Sequence, residues 1–179
     1  MTGKLTIREL CLHAMLGALL FALKIVFAVL PNIHPVAVLI IAGTICFSRR
    51  MLYSVAVYVL LEGLVYGFGL WWLSYLYIWP LLIALTLLFR REDRVFFSVL
   101  AALFGLSFGA LCAIPYLFIG GWKMAFSYYV AGIPFDALHA FGNAVLTYAL
   151  LPTLLRILPQ AAGTGIEKTI SCGIINQKE

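Results

Sequence analysis

Long apolar runs separated by short polar and basic segments organise this chain. A helix that crosses a membrane needs ~20 predominantly apolar residues, with a usual range of about 17–25. Six candidate spans meet or approach that length. The first runs from about Leu10 to Leu30 and ends at Pro31, and a short second run covers Pro35 to Phe47. The third runs Met51 to Leu70, the fourth Leu73 to Phe89, and the fifth Val95 to Ile119, with Pro115 near its end. The sixth begins near Ile133 and reaches Leu151 or a little beyond, with Pro152 as a kink or a stop. The thirteen residues of the second run are too few to cross a full hydrocarbon core untilted, so the pattern predicts that neighbours cover it or that it extends through the Asn32–His34 turn. The expected fold is therefore all-α: a polytopic membrane bundle of about six transmembrane helices over residues 1–158. Residues 159–179 are polar and without period, and read as a mobile cytoplasmic tail.

Composition strengthens this reading. The chain has 179 residues, 64% apolar and 11% charged, against roughly 45–50% and ~25% for an ordinary soluble domain. A soluble fold of this size has nowhere to hide the excess, whereas lipid tails are as apolar as leucine. The first apolar run is too long for a signal-peptide core and no small-residue cleavage site follows, so it reads as a retained helix. Cys11, Cys46, Cys112 and Cys172 show no CxxC pairing, which argues against a zinc site or a disulfide framework.

The formal charge of +5 gains its meaning from its distribution. Ten of the twelve Lys and Arg fall on one side of the predicted spans: Lys4, Arg8, Arg49, Arg50, Arg90, Arg91, Arg94, Arg156, Lys168 and Lys178. Lys123 lies in a loop on the other side and Lys24 within a span. The positive-inside rule then places both termini in the cytoplasm, in agreement with an even span count. The basic residues orient the protein and are not a nucleic-acid footprint.

The opposite end is aromatic. Trp71, Trp72, Trp79 and Trp122 lie at or near it, with Tyr66, Tyr75, Tyr77, Tyr116, Tyr128 and Tyr129. An interfacial belt accounts for some of them, but a belt is expected at both interfaces. Rigid aromatic walls are also what a small planar ligand requires. Four ionisable residues fall inside spans, where charge is costly and usually faces the protein interior. Counting 1.5 Å per residue, Lys24 and His139 lie ~9 Å below the outer helix ends and Glu62 ~12 Å, with Asp136 shallower. Asp136, His139 and Asn143 recur at i, i+3, i+7 and share one helix face. Together these residues form the candidate polar floor of an outward-facing binding cavity. The bland alternatives are a structural Lys24–Glu62 ion pair, an Asp136 that complements the dipole of a helix opening at Gly132-Ile133-Pro134, and a packing role for His139.

In the first span Ala14, Ala18 and Ala22 recur every four residues, a smooth ridge that lets another helix approach closely. Gly105 and Gly109 make a similar pair in the fifth span, where internal packing is the simpler reading. With its size, six spans, inward ends, alanine ridge and the stretch Gly132-Ile133-Pro134-Phe135-Asp136 through His139 and Gly142-Asn143, the chain resembles the substrate-binding S components of energy-coupling factor (ECF-type) vitamin transporters, from about Leu5 to Leu158. The resemblance implies a high-affinity site for a vitamin or related micronutrient in the cell membrane of a prokaryote. It implies a transmembrane coupling T component and two cytoplasmic ATPases as partners. It also implies docking of that T component on Ala14, Ala18 and Ala22, and delivery by toppling of the whole subunit. The implied pocket draws on Trp71, Trp72, Tyr75, Trp79, Tyr128, Tyr129, Asp136, His139 and Asn143, beside Lys24 and Glu62.

Three other readings compete. Gly105-Leu106-Ser107-Phe108-Gly109 spells G-x-S-x-G, but a nucleophile elbow needs a strand–turn–helix context and this stretch falls mid-span. No HExxH, cofactor or metal motif is present, so no enzyme is expected. A stand-alone secondary transporter usually shows internal repeats and interrupted helices, and none is evident. A non-transporting scaffold or assembly protein would leave the buried polar residues without a ligand.

Overall fold

The computed structural model describes residues 5–30, 32–90 and 92–162, and among these it is helical throughout, with no strand. Helix α1 (Ile7–Val26) opens with a capping box: the Glu9 amide donates to Thr6 Oγ1 at 3.2 Å and the Thr6 amide to Glu9 Oε2 at 2.9 Å. Helix α2 (Val36–Phe47) is apolar on every side and buried at every residue but Phe47, the signature of a helix enclosed by others. It touches each of the other helices. The short second run is thus covered by neighbours, and the α2–α3 connection is a 3-10 turn, Ser48–Arg50.

Helix α3 (Met51–Tyr66) stops at Gly67, whose φ of 89° only glycine adopts readily. Helix α4 (Leu70–Leu88) carries Pro80 internally. Helix α5 (Arg94–Leu106) is capped by Asp93, which accepts from the Phe96 amide at 2.8 Å. Helix α6 (Phe108–Ala162) contains one non-helical residue, Gly121, with φ 68° and ψ −167°. It is therefore two arms, 108–120 and 122–162.

Side-chain contacts fix the helix directions. Along α1, Glu9, His13 and Lys24 meet Arg50 of the 3-10 turn and Ser54 and Glu62 of α3 in the same order, so α1 and α3 run parallel. Gly17 brings them close, since a Cβ there would lie 2.6 Å from the Ser54 carbonyl oxygen and from Val57 Cβ. Beyond Gly121 the chain doubles back: Ala101, Gly105, Gly109 and Tyr116 face Asn143, Ala140, Asp136 and Tyr128 in turn. This is an antiparallel hairpin. Gly105 and Gly109 let the arms approach closely, so the G-x-S-x-G stretch, a helix end and a helix start joined at Ser107, packs against the returning arm.

Arg50, Arg90 and Arg94 lie together at one end of the bundle, while Lys24 and Lys123 lie apart from them. Arg50 pairs with Glu9, Arg90 Nη2 donates to the Ile45 carbonyl at 3.4 Å, and Arg94 lies 4.5 Å from the Tyr148 ring centre. Among the described residues four stretches are long and apolar enough to cross a membrane: Ile7–Val26, Val36–Tyr66, Leu70–Leu88 and Arg94–Gln160. An apolar outer surface that includes Met15, Val29, Leu88, Phe118 and Phe141 agrees with that location.

Two sequence expectations change. Gly132-Ile133-Pro134 does not open the last helix, which already runs from residue 122, and Lys123 is helical. Pro152 does not stop it either, and it continues past Pro159 to Ala162. Of the predicted tail, residues 163–179 lie outside the described residues.

Candidate functional site

At the end of the bundle away from the basic residues, Lys24 in the last turn of α1 reaches Glu62 of α3. Its Nζ lies 2.5 Å from Glu62 Oε2 and 3.4 Å from Tyr75 Oη. The rings of Tyr75, Tyr66 and Trp71 surround the ammonium at 5.2, 5.5 and 5.7 Å from their centres, within cation–π range. The carboxylate is fully buried, whereas the lysine side chain is 24% exposed. The pair neutralises a charge that would otherwise be prohibitive in such a place. It engages only one carboxylate oxygen, because Glu62 Oε1 is buried and makes no hydrogen bond.

From this pair a continuous set of rings leads inward. Tyr75 lies 5.5 Å from Trp79, Trp79 5.7 Å from Phe108, Phe108 4.8 Å from His139, and His139 5.5 Å from His34. Tyr58 packs on Tyr75 and Trp79 at 6.3 and 5.8 Å. The polar atoms of this set are mostly unused. Tyr58 Oη, Trp79 Nε1, both ring nitrogens of His139 and His34 Nδ1 are buried without a hydrogen-bond partner. Thr147 Oγ1 is likewise unpaired. Buried polar groups nearly always find partners, and each that does not costs about 1–3 kcal/mol.

The remaining sequence candidates divide by what already holds them. Asp136 is buried, and its carboxylate accepts the Gly109 amide at 2.9 and 3.1 Å. It therefore satisfies an orphan donor in the first turn of the 108–120 arm, and complements the N-terminus of that arm rather than of its own. Asn143 Nδ2 donates to the Ala101 carbonyl at 3.2 Å and ties the hairpin together. Trp72 Nε1 donates to the Val59 carbonyl at 2.8 Å, its ring edge-on to Phe68. Tyr128 stacks on Tyr116 at 4.3 Å across the Gly121 turn, and Tyr129 is half-buried beside it. Ala14, Ala18 and Ala22 are exposed, on the side of α1 away from its buried face of His13, Leu16, Gly17 and Leu20.

The structure thus brings Lys24, Glu62, Trp71, Tyr75, Trp79 and His139 into one cluster. It adds Tyr58, Phe108, His34 and Tyr66. Tyr58 precedes Glu62 by one helical turn, the signal that would have found it. His34 belongs to the α1–α2 connection, which lies across the 122–162 arm: Asn32 Nδ2 donates to the Phe135 carbonyl at 3.3 Å, and Ile33 fits against Gly142. The cluster joins fixed rings to free donors and acceptors; among the described residues there is no group of three metal-ligating side chains. No protein-family model matches the chain, and comparisons with curated proteins and with solved structures return no match.

Proposed function

We propose that this protein is the membrane-embedded substrate-binding subunit of an ECF-type importer for a vitamin or related micronutrient. One observation carries the reading: buried polar atoms of Tyr58, Glu62, Trp79, His34 and His139 without protein partners, set among aromatic rings at one end of an apolar bundle. A scaffold gains nothing from such atoms, whereas a binding protein uses them when its ligand arrives.

In this reading the chain crosses the membrane six times with both ends inside. The 31-residue stretch Val36–Tyr66 divides at the Ser48–Arg50 turn into two crossings. The 67-residue stretch Arg94–Gln160 divides at Gly121; unbroken, it would measure ~100 Å, about three times the hydrocarbon core. The basic end faces the cytoplasm and the Lys24–Glu62 end faces outward. The exposed Ala14–Ala18–Ala22 ridge receives the transmembrane coupling subunit, and two cytoplasmic ATPases drive transport. The protein itself catalyses no reaction.

The purified chain alone should retain a small organic micronutrient, identified by mass spectrometry of what co-purifies with it, without any ATPase. Ala18→Trp should abolish uptake in cells and leave that binding intact. Loss of both together would remove the docking role. Substrate movement into proteoliposomes without partners would identify a secondary transporter instead.

A further inference from the structure

Two of the unpartnered atoms have a fixed hydrogen-bond polarity. The indole N–H of Trp79 can only donate, and the free oxygen of the Glu62 carboxylate can only accept. Tyr58 Oη, His139 and His34 can act in either sense, according to hydroxyl rotation and tautomer. Any ligand that satisfies both fixed atoms carries a donor and an acceptor at once.

Charge narrows the class further. Glu62 is already neutralised by Lys24 at 2.5 Å. Lys24 is itself enclosed by Tyr66, Trp71 and Tyr75. An anionic ligand would face the buried carboxylate, and among the described residues of the cluster the one cation, Lys24, is already engaged. A cationic ligand would have to displace Lys24 from both the carboxylate and its ring cage. The rings of Tyr58, Tyr75, Trp79 and Phe108 pack on one another, and a flat, thin ring inserts among such faces with less displacement than a flexible chain.

From this arrangement we infer that the site takes a net-neutral, planar nitrogen heterocycle that donates a hydrogen bond to Glu62 and accepts one from Trp79. The inference rests on the substrate-binding reading above and specifies the chemistry of that same site. An amino-substituted ring with a ring nitrogen or ring carbonyl meets the requirement, and a ring whose only polar group is a carboxylate does not.

Isothermal calorimetry on the purified full chain, with four probes, tests this. Cytosine is neutral and carries both donor and acceptor, 2,4-dimethylpyrimidine is neutral with acceptors only, orotate is anionic, and 4-aminopyridinium is cationic. Cytosine should bind saturably, and each of the others at least about 10-fold more weakly. Trp79→Phe should lower cytosine affinity about 10-fold. Should that variant fold poorly, Tyr58→Phe serves: it removes a buried hydroxyl beside Glu62 that makes no well-formed hydrogen bond, and should weaken cytosine binding while shifting the melting midpoint of the unliganded protein little. Tighter binding of orotate or 4-aminopyridinium, equal binding of 2,4-dimethylpyrimidine, or no binding of cytosine overturns the inference. If an ionic micronutrient co-purifies, the inference falls and the substrate-binding reading stands. If no small molecule is retained or bound, both fall.

Discussion

Lys24→Met should lower the apparent thermal midpoint of the solubilised protein by on the order of 10 °C, while Lys24→Met combined with Glu62→Leu should return it close to the starting value. The single substitution leaves a fully buried carboxylate whose cation has gone. Removing one partner of a buried pair typically costs about 3–5 kcal/mol, because the remaining charge is neither solvated nor paired. The double substitution removes the charge as well and replaces it by an apolar side chain of similar volume, often neutral or stabilising. Fluorescence-monitored or light-scattering melts of the three proteins check this. Equal losses in the single and double variants would mean that the lysine acts through packing against Tyr66, Trp71 and Tyr75. The ligand-binding role gives a different result: the double variant, though stable, should bind poorly, because the acceptor is gone.

Gly105→Leu should be the most damaging single substitution in the α5–α6 hairpin. A Cβ at Gly105 would lie 2.8 Å from the Ala140 amide nitrogen, 2.9 Å from Ala140 Cα and 2.9 Å from the His139 carbonyl carbon. These are backbone atoms of the facing arm and cannot rotate away, so the two arms must separate. Overpacking of this kind costs about 1–3 kcal/mol and occasionally more. Separation would also move His139, and with it the end of the cluster that contains Phe108 and His34. The expected result is therefore a lower midpoint accompanied by lost binding, read by melts and calorimetry on the same preparation. Gly109→Leu is a useful comparison: there the nearest atom is the Asp136 carboxylate, 2.3 Å from the added Cβ. A side chain can swing aside where a backbone cannot, so the loss should be smaller.

Much of this architecture is legible in the sequence for one reason: charge and apolar length carry strong physical penalties. Lys24 and Glu62 stand out because ions inside apolar helices need partners, and the structure pairs them. Buried α2 was legible from a run too short and too apolar to stand alone. The beginning of the last helix was not. Gly132-Ile133-Pro134 looks like a helix start, and Trp122 to Tyr129 looks like an interfacial loop, yet both are helical. Gly121 makes the turn by itself, through a positive φ that no hydrophobic pattern reports. The alternative reading of Asp136, as complementing the dipole of its own helix, fails for the same reason: the amide it accepts from is that of Gly109, 27 residues earlier. Tyr58 had a signal, its place one turn before Glu62, but Phe108 and His34 were invisible because their place in the cluster depends on contacts between elements far apart in the chain. His34 shows this most plainly, since a histidine in a short connection reads as a turn residue until the 122–162 arm passes beneath it.

The enclosure of α2 also bears on how the protein is made. At twelve residues it measures ~18 Å, well short of the ~30 Å apolar layer. Its translation ends well before that of α4 and α6, against which it packs most extensively. During biogenesis it emerges from the ribosome without the partners that will surround it, and its final depth is settled only when the last hairpin arrives. A chain truncated after α3 should consequently be recognised by quality-control proteases, although it already contains three of its helices.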